Sequence, residues 1–309
     1  MSPMWHFISD QISEATGDVF ICENAQRLGQ QHFHESYVIK GSQRRYFVKV
    51  CDVDAHQFDV PSPLTSEYAG LSALLQHRAK FCPTPICHGF CDDRDRRMEY
   101  VVMRYIGFKS PSERLWQEAG TALAAMHKDS QQHNPLSPPD HYGWPTNNYL
   151  GSTLQCNQPS PKWSTFFITQ RIEAFCRQLS GIQHGVDDKL LATAEYLLDE
   201  HQPPSCLLHG DLWQGNIGFT ATMPLVFDPA VWMGDRECDL AMAKLFGGFA
   251  QLFFNAYEAH WPLPQHADTR VALYQLPHGL NHLLMFGESY TGMVRDLIQQ
   301  VQKQSSAYH

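Results

Sequence analysis

No run of about 18 apolar residues occurs anywhere in the 309-residue chain, which argues against a transmembrane helix. No basic stripe occurs either. Acidic residues number 32 against 23 basic ones, for a formal charge of −9, so nucleic acid and anionic lipid are poor candidate partners. Nine scattered cysteines do not form the spaced framework of a disulfide-stapled domain. Cys82, Cys87, His88 and Cys91 cluster, but with spacings of four and three rather than paired C-x-x-C, and no second cluster completes a zinc site. The N-terminus lacks a basic leader with a long apolar stretch. Trp5, Ile8 and Ile12 instead give the spacing of a short amphipathic helix, and the expected location is the cytoplasm. Internal repeats and low-complexity tails are absent.

What is present is the composition of an ordinary globular protein long enough for one large domain or two lobes. Its most informative stretch is His209-Gly-Asp-Leu-Trp-Gln-Gly-Asn216, followed by Leu225-Val-Phe-Asp228. An aspartate, an asparagine and a second aspartate in this order suit metal-dependent phosphoryl transfer. Asp211 can take a hydroxyl proton, while Asn216 and Asp228 offer hard oxygen ligands to a magnesium ion on nucleotide phosphates. Cys206-Leu-Leu reads as a short buried strand before the loop. Ile217-Gly-Phe and Leu225-Val-Phe, joined by Thr220-Ala-Thr-Met-Pro224, read as a hairpin delivering Asp228 beside Asp211.

Upstream, residues 35–40 and 46–50 are β-rich runs around Gly41-Ser-Gln and predict an antiparallel hairpin. Pro63 opens a helical pattern in which Tyr68, Leu71, Leu74 and Leu75 share a face. Residues 98–103 predict another strand. Ser112 is placed to cap a helix whose apolar face is Leu115, Ala119, Ala122, Leu123 and Met126. A loop rich in Pro, Asn and Gly follows over 133–161, and mostly helical patterns occupy the rest.

The motifs His209-Gly-Asp-Leu-Trp, Phe227-Asp-Pro-Ala230 and Gly234-Asp-Arg-Glu-Cys-Asp-Leu-Ala-Met242 resemble those of the fructosamine kinase (ketosamine 3-kinase) family. Phe47-Val-Lys49, Thr65-Ser-Glu-Tyr-Ala-Gly-Leu71, Thr153-Leu-Gln-Cys-Asn157 and Trp163-Ser-Thr-Phe-Phe167 fall in the family's order, so the resemblance covers nearly the whole chain. It implies an α+β, bilobal protein-kinase-like fold of the aminoglycoside phosphotransferase and choline kinase branch. Residues 1–105 would be a nucleotide-binding N-lobe with an antiparallel sheet, and 106–309 a mainly helical, catalytic and acceptor-binding C-lobe.

The implied activity is ATP- and magnesium-dependent phosphorylation of a ketose hydroxyl on a ketoamine, free or on a protein, in repair of glycated amines. Lys49, held by Glu67, would address the phosphates, and Arg104, Tyr105 and Ile106 would form the hinge offered to adenine. Gly29 would belong to the phosphate-covering loop. There Gln30 and Gln31 stand where relatives carry adjacent glycines, which raises the prospect of side-chain residues at φ > 0 or of His32 or His34 meeting phosphate. His209 is expected to stabilise the loop and Asp239 to brace it. Trp213, Trp232, Arg236 and Glu237 are candidate sugar contacts, with packing and a structural ion pair as their alternative; Gln155 and Asn157 are weaker ones. Other acceptors, an aminoglycoside or an amino alcohol, and a nucleotide-responsive protein without turnover are the competing functions.

Overall fold

A computed structural model describes residues 2–31, 33–53, 61–78, 80–136 and 138–306. The chain divides into two compact units, one made of Met1–Pro111 with Gly218–Asp228, the other of Ser112–Ile217 with Pro229–His309. The first unit thus runs past residue 105 to Pro111 and takes in Gly218–Asp228 from later in the chain.

The first unit is built on a five-stranded antiparallel sheet: β1 (Asn24–Gln31), β2 (His34–Lys40), β3 (Arg45–Asp52), β4 (Pro85–Asp93) and β5 (Arg96–Arg104), in the order β1-β2-β3-β5-β4. Strand alternation gives β3 and β5 two different faces. Tyr46, Val48, Val50, Met98, Tyr100 and Val102 join the core formed with helix α1 (Pro3–Thr16), which contributes Met4, Trp5, Ile8 and Ile12. Their neighbours Lys49, Cys51 and Glu99 are buried on the opposite face, where Lys49 and Glu99 bond to residues at helix α2 (Pro63–His77). Register is fixed by the pairs Lys49↔Val101 and Cys51↔Glu99. A one-residue slip would exchange the two faces.

The start of α2 is tied down from the sheet. Its N-cap, Ser62, makes no side-chain cap bond to the helix backbone. Glu99, fully buried on β5, instead accepts from Thr65 N at 2.7 Å, from Thr65 Oγ1 at 2.9 Å and from the Ser62 hydroxyl. A carboxylate there complements the helix dipole as well as the free N–H groups.

In the second unit, helix α3 (Glu113–Ser130) begins at Ser112, whose hydroxyl accepts from Leu115 N. It lies against α8 (Gln251–His260) so closely that a Cβ on Gly120 would stand 2.1 Å from the Phe253 carbonyl oxygen; only glycine permits that approach. Short strands β8 (Cys206–Leu208) and β11 (Trp232–Gly234) pair antiparallel, as do β6 (Asn148–Leu150) and β7 (Thr153–Gln155) within the long 133–161 loop. The core collects around Trp163, Phe166, Phe167, Trp232 and Tyr274.

Its helices are α4 (Trp163–Phe166), α5 (Ala174–Gln178), α6 (Asp188–Leu198), α7 (Glu237–Leu245), α8, α9 (Ala267–Phe286) and α10 (Thr291–Ser306). A π-helical stretch, Phe167–Glu173, links α4 to α5. Strands β9 (Ile217–Phe219) and β10 (Pro224–Val226) form the hairpin expected after the catalytic motif. Among the described residues, no helix is long and apolar enough to cross a membrane.

Candidate active site

Lys49 emerges on the α2 side of β3. Its ammonium donates to Glu67 Oε2 at 2.8 Å and to Asp228 Oδ1 at 2.6 Å. Lys49 is almost fully buried, whereas the Asp228 side chain keeps 29% of its surface accessible. Burial alone would lower the lysine pKa, but the carboxylates of Asp228 and Glu67 hold it above its ordinary value, so it remains a cation. Burial pushes the Glu67 carboxyl in the opposite direction from its usual range, upward, against the opposing pull of Lys49. Two carboxylates share one ammonium here, and the more buried of them resists full ionisation. Glu67 Oε1 is buried without a hydrogen-bond partner among the described residues.

Asp228 itself sits at φ +56°, in the left-handed region that residues other than glycine seldom occupy. Backbone strain of this kind, of order 1–3 kcal/mol, persists where the surroundings fix the residue. The preceding Phe227 stacks on Phe108, with centroids 5.3 Å apart. Phe108 also lies over Gly218, where any Cβ would come within 2.5 Å of the ring. Lys109 N donates to Phe219 O at 2.7 Å, so the segment after β5 and the β9–β10 hairpin are held together.

In the second unit the catalytic-type loop is anchored from behind. Asp239, fully buried in the first turn of α7, accepts from His209 N (2.8 Å) and Gly210 N (2.9 Å). His127 on α3 reaches the same carboxylate through Nε2 at 3.0 Å and meets Tyr257 Oη through Nδ1 at 2.8 Å. Burial alone would raise the Asp239 pKa. The bond and charge of His127, with the His209 and Gly210 interactions, instead hold the carboxyl below its ordinary value. Gly210 turns at φ +80°, and a Cβ there would fall 2.0 Å from the Ala230 carbonyl oxygen. Ala230 N in turn donates to His209 O.

That anchoring presents Asp211 half-buried. Asn216 Nδ2 donates to Asp211 Oδ2 at 3.0 Å and to Asp211 O at 2.9 Å. With its amide nitrogen so engaged, the oxygen of Asn216 remains as the acceptor end. Structure thus brings Asp211 and Asn216 together in one unit, and Lys49, Glu67 and Asp228 in the other.

Other expectations fare differently. Gly29 and Gln30 pair within the β1–β2 ladder, opposite Ser36 and Glu35, and Gln31 pairs with His34. Neither Gln30 nor Gln31 has positive φ, so the anticipated glycine-specific strain is absent. His34 is buried and His32 lies outside the described residues. Arg104 closes β5, and Tyr105 and Ile106 continue it as half-buried irregular chain.

Among the sugar-contact candidates, only Trp213 is exposed. Arg236 is spent on the Trp261 and Pro262 carbonyls (2.9 and 2.6 Å) and stacks over the Trp261 ring. Glu237 forms a two-pronged pair with Arg270, at 2.9 and 2.7 Å. Trp232 is buried parallel to Trp163. These three brace the fold, as does Asn157, which bonds Arg171 and Asn148. Gln155 is likewise engaged, with Asn148 and Ala230.

Sequence reasoning missed Glu99 and His127. Each left a signal: a lone carboxylate inside the apolar run 98–103, and a histidine on the apolar side of α3 beside Leu123 and Met126.

A small antiparallel sheet carrying a buried Lys–Glu pair, with an anchored His-Gly-Asp loop in a helical unit, defines a protein-kinase-like phosphotransferase. The fructosamine kinase sequence profile matches residues 4–304, and the chain belongs to that family. It is accordingly an ATP-dependent phosphotransferase. A "Probable ketoamine kinase" of Vibrio parahaemolyticus is 36% identical over 293 residues, 93% of this chain and 95% of that protein. Escherichia coli K12 has one, YniA, that is 32% identical over 92% of this chain and 94% of its own length. A structure assigned as a fructosamine-3-kinase from Haemophilus somnus superposes with a TM-score of 0.82 at 23% identity, covering 95% of this chain and 96% of that one. An aminoglycoside phosphotransferase bound to AMP-PNP and hygromycin B shares the fold (TM-score 0.58, 15% identity, 95% and 98% covered).

Proposed function

We propose that this enzyme transfers the γ-phosphoryl group of ATP, with magnesium, to a ketose hydroxyl of a ketoamine, and so serves in the repair of glycated amines. The observation that carries this reading is the anchored loop in which Asn216 orients Asp211, in a chain 36% identical to a protein named a ketoamine kinase. Asp211 accepts the hydroxyl proton as the hydroxyl oxygen attacks the γ-phosphorus and the bond to the bridging oxygen breaks, releasing ADP; its position relative to the hydroxyl matters as much as its basicity. Lys49 addresses the phosphates, with Glu67 keeping the ammonium aimed.

Asp228, in the first unit, offers magnesium an accessible carboxylate, and Asn216, in the second, an amide oxygen; both are hard ligands. When bound, the ion neutralises phosphate charge. Arg104, Tyr105 and Ile106 offer backbone to the adenine edge, and Gly29 lies on the strand hairpin near the proposed phosphate side. Trp213, exposed on the catalytic loop, is the aromatic face available to a sugar. Its acceptor is tested by ATP consumption with ribulosamine, fructosamine and aminoglycoside side by side. Turnover with a ketoamine supports the reading; turnover confined to the aminoglycoside overturns it.

A further inference from the structure

Behind the catalytic loop, wholly within the second unit, lies a small cavity with room for about one water-sized occupant. Arg171, Trp232 and His278 border it. All three are more than nine-tenths buried, and Arg171 Nε, Trp232 Nε1 and His278 Nδ1 have no hydrogen-bond partner among the described residues. Leaving three such groups unsatisfied would be costly, since each has given up its bonds to water for none in the protein.

The charge is equally uncompensated. Arg171 lies in the π-helical stretch Phe167–Glu173, the kind of irregularity that recurs at functional positions. Its guanidinium donates to the Cys156 and Gln170 carbonyls and to Asn157 Oδ1, all neutral acceptors, and rests 4.1 Å from the Trp232 ring centroid. No carboxylate pairs with it among the described residues. Burial accordingly pulls its pKa down to about 9, so it is still a cation at neutral pH. Asp239 also borders the cavity, but its oxygens are taken by His209 N, Gly210 N and His127. The Tyr274 hydroxyl is likewise engaged, with Asp235 and Trp163.

We propose that this cavity is a binding site for a monatomic anion, chloride under ordinary conditions, held by Arg171 Nε, Trp232 Nε1 and the Nδ1–H tautomer of His278. A water molecule accepts only two hydrogens and must then place its own. A halide accepts all three and supplies the missing counter-charge. Phosphate and sulfate are too large for the space. The site is distinct from the proposed phosphate-handling residues Lys49 and Asp228, which belong to the other unit.

The test uses the full chain in potassium salts at constant ionic strength. Chloride is varied against gluconate, which is too large to enter. The thermal midpoint should rise with chloride, by roughly 2–4 °C for each tenfold increase above its dissociation constant. Trp232→Phe keeps an aromatic ring but removes one donor, and should reduce that response. Crystals of the wild-type chain in bromide should show an anomalous peak within hydrogen-bonding distance of Arg171 Nε and Trp232 Nε1. This decides the matter even if the variant fails to fold. An ordered water without anomalous signal there, or a chloride response undiminished in folded Trp232→Phe, overturns the proposal.

Discussion

Replacing Asp239 with asparagine tests whether the catalytic loop is held from behind. The native carboxylate takes Gly210 N on one oxygen and both His209 N and His127 Nε2 on the other. Asparagine has a single acceptor oxygen, so its NH2 group must face at least one buried donor. An unsatisfied buried group costs about 1–3 kcal/mol. Loss of charge on the surviving bonds adds about another 1 kcal/mol, since bonds to charged groups are worth roughly 1.5–3 against about 1 for neutral ones. The expected loss is therefore about 2–4 kcal/mol, read as a lower urea midpoint by circular dichroism at unchanged slope. Because His209 and Gly210 directly precede Asp211, kcat should fall too, by up to ~10²-fold if the loop shifts by about 1 Å. A variant with the wild-type midpoint and wild-type kcat would refute the bracing role.

Lys49→Ala should weaken binding of a nonhydrolysable ATP analogue in calorimetry and lower turnover as well, because its ammonium is assigned to the phosphates; unchanged affinity would contradict that. Asp228→Ala should abolish magnesium-dependent turnover in a folded protein, and near-wild-type activity would rule out the proposed metal ligand. Gln30→Gly should not tighten nucleotide binding and should cost roughly 0.5–1 kcal/mol in stability, since the residue sits in a paired strand; a clear gain in ATP affinity would show that the side chain obstructs phosphate after all.

His278 supplies the pH prediction. Burial, with the positive charge of Arg171 and the nearby His282 also disfavouring protonation, lowers its pKa from 6.5 to about 3. The unfolded chain therefore binds the extra proton first. The stability from neutral His278 is present above pH 6.5 and is lost as pH falls toward 3. At pH 5 in halide-free buffer the loss is about 2 kcal/mol. His278→Gln should flatten that limb of the stability curve, and an identical limb in the variant would refute the assignment.

Much of the fold was legible because its signals are local. Alternation at 46–50 and 98–103, the amphipathic pattern of α3, and the turn between Phe219 and Leu225 each state their own conformation. Ser112 capping and the Cys206–Leu208 strand were readable for the same reason. The catalytic motif was legible because Asp211 and Asn216 are five residues apart and bonded to each other.

What escaped depended on distant pairing. Whether Arg236 and Glu237 face a ligand or serve the core is decided by Trp261, Pro262 and Arg270, 25 to 33 residues away. That Gln30 and Gln31 pair with Glu35 and His34 in the β1–β2 ladder depends on the register across the turn, which the sequence does not state. Within the candidate site, Asp228 is left-handed, and no sequence pattern announces its φ. Arg171 carries no signal of its own, because nothing in the sequence reveals that no carboxylate among the described residues pairs with it.

Asp211→Asn offers the most direct measurement of the central claim. Wild type and variant are compared for ketoamine-dependent phosphate transfer from ATP with magnesium, alongside calorimetric affinity for a nonhydrolysable analogue. The asparagine keeps the size and hydrogen-bonding capacity but removes charge and basicity. Turnover should fall at least ~10²-fold while nucleotide affinity stays nearly unchanged. High residual turnover at saturation together with lost nucleotide binding would place Asp211 on the nucleotide rather than on the acceptor hydroxyl, and the account would fail.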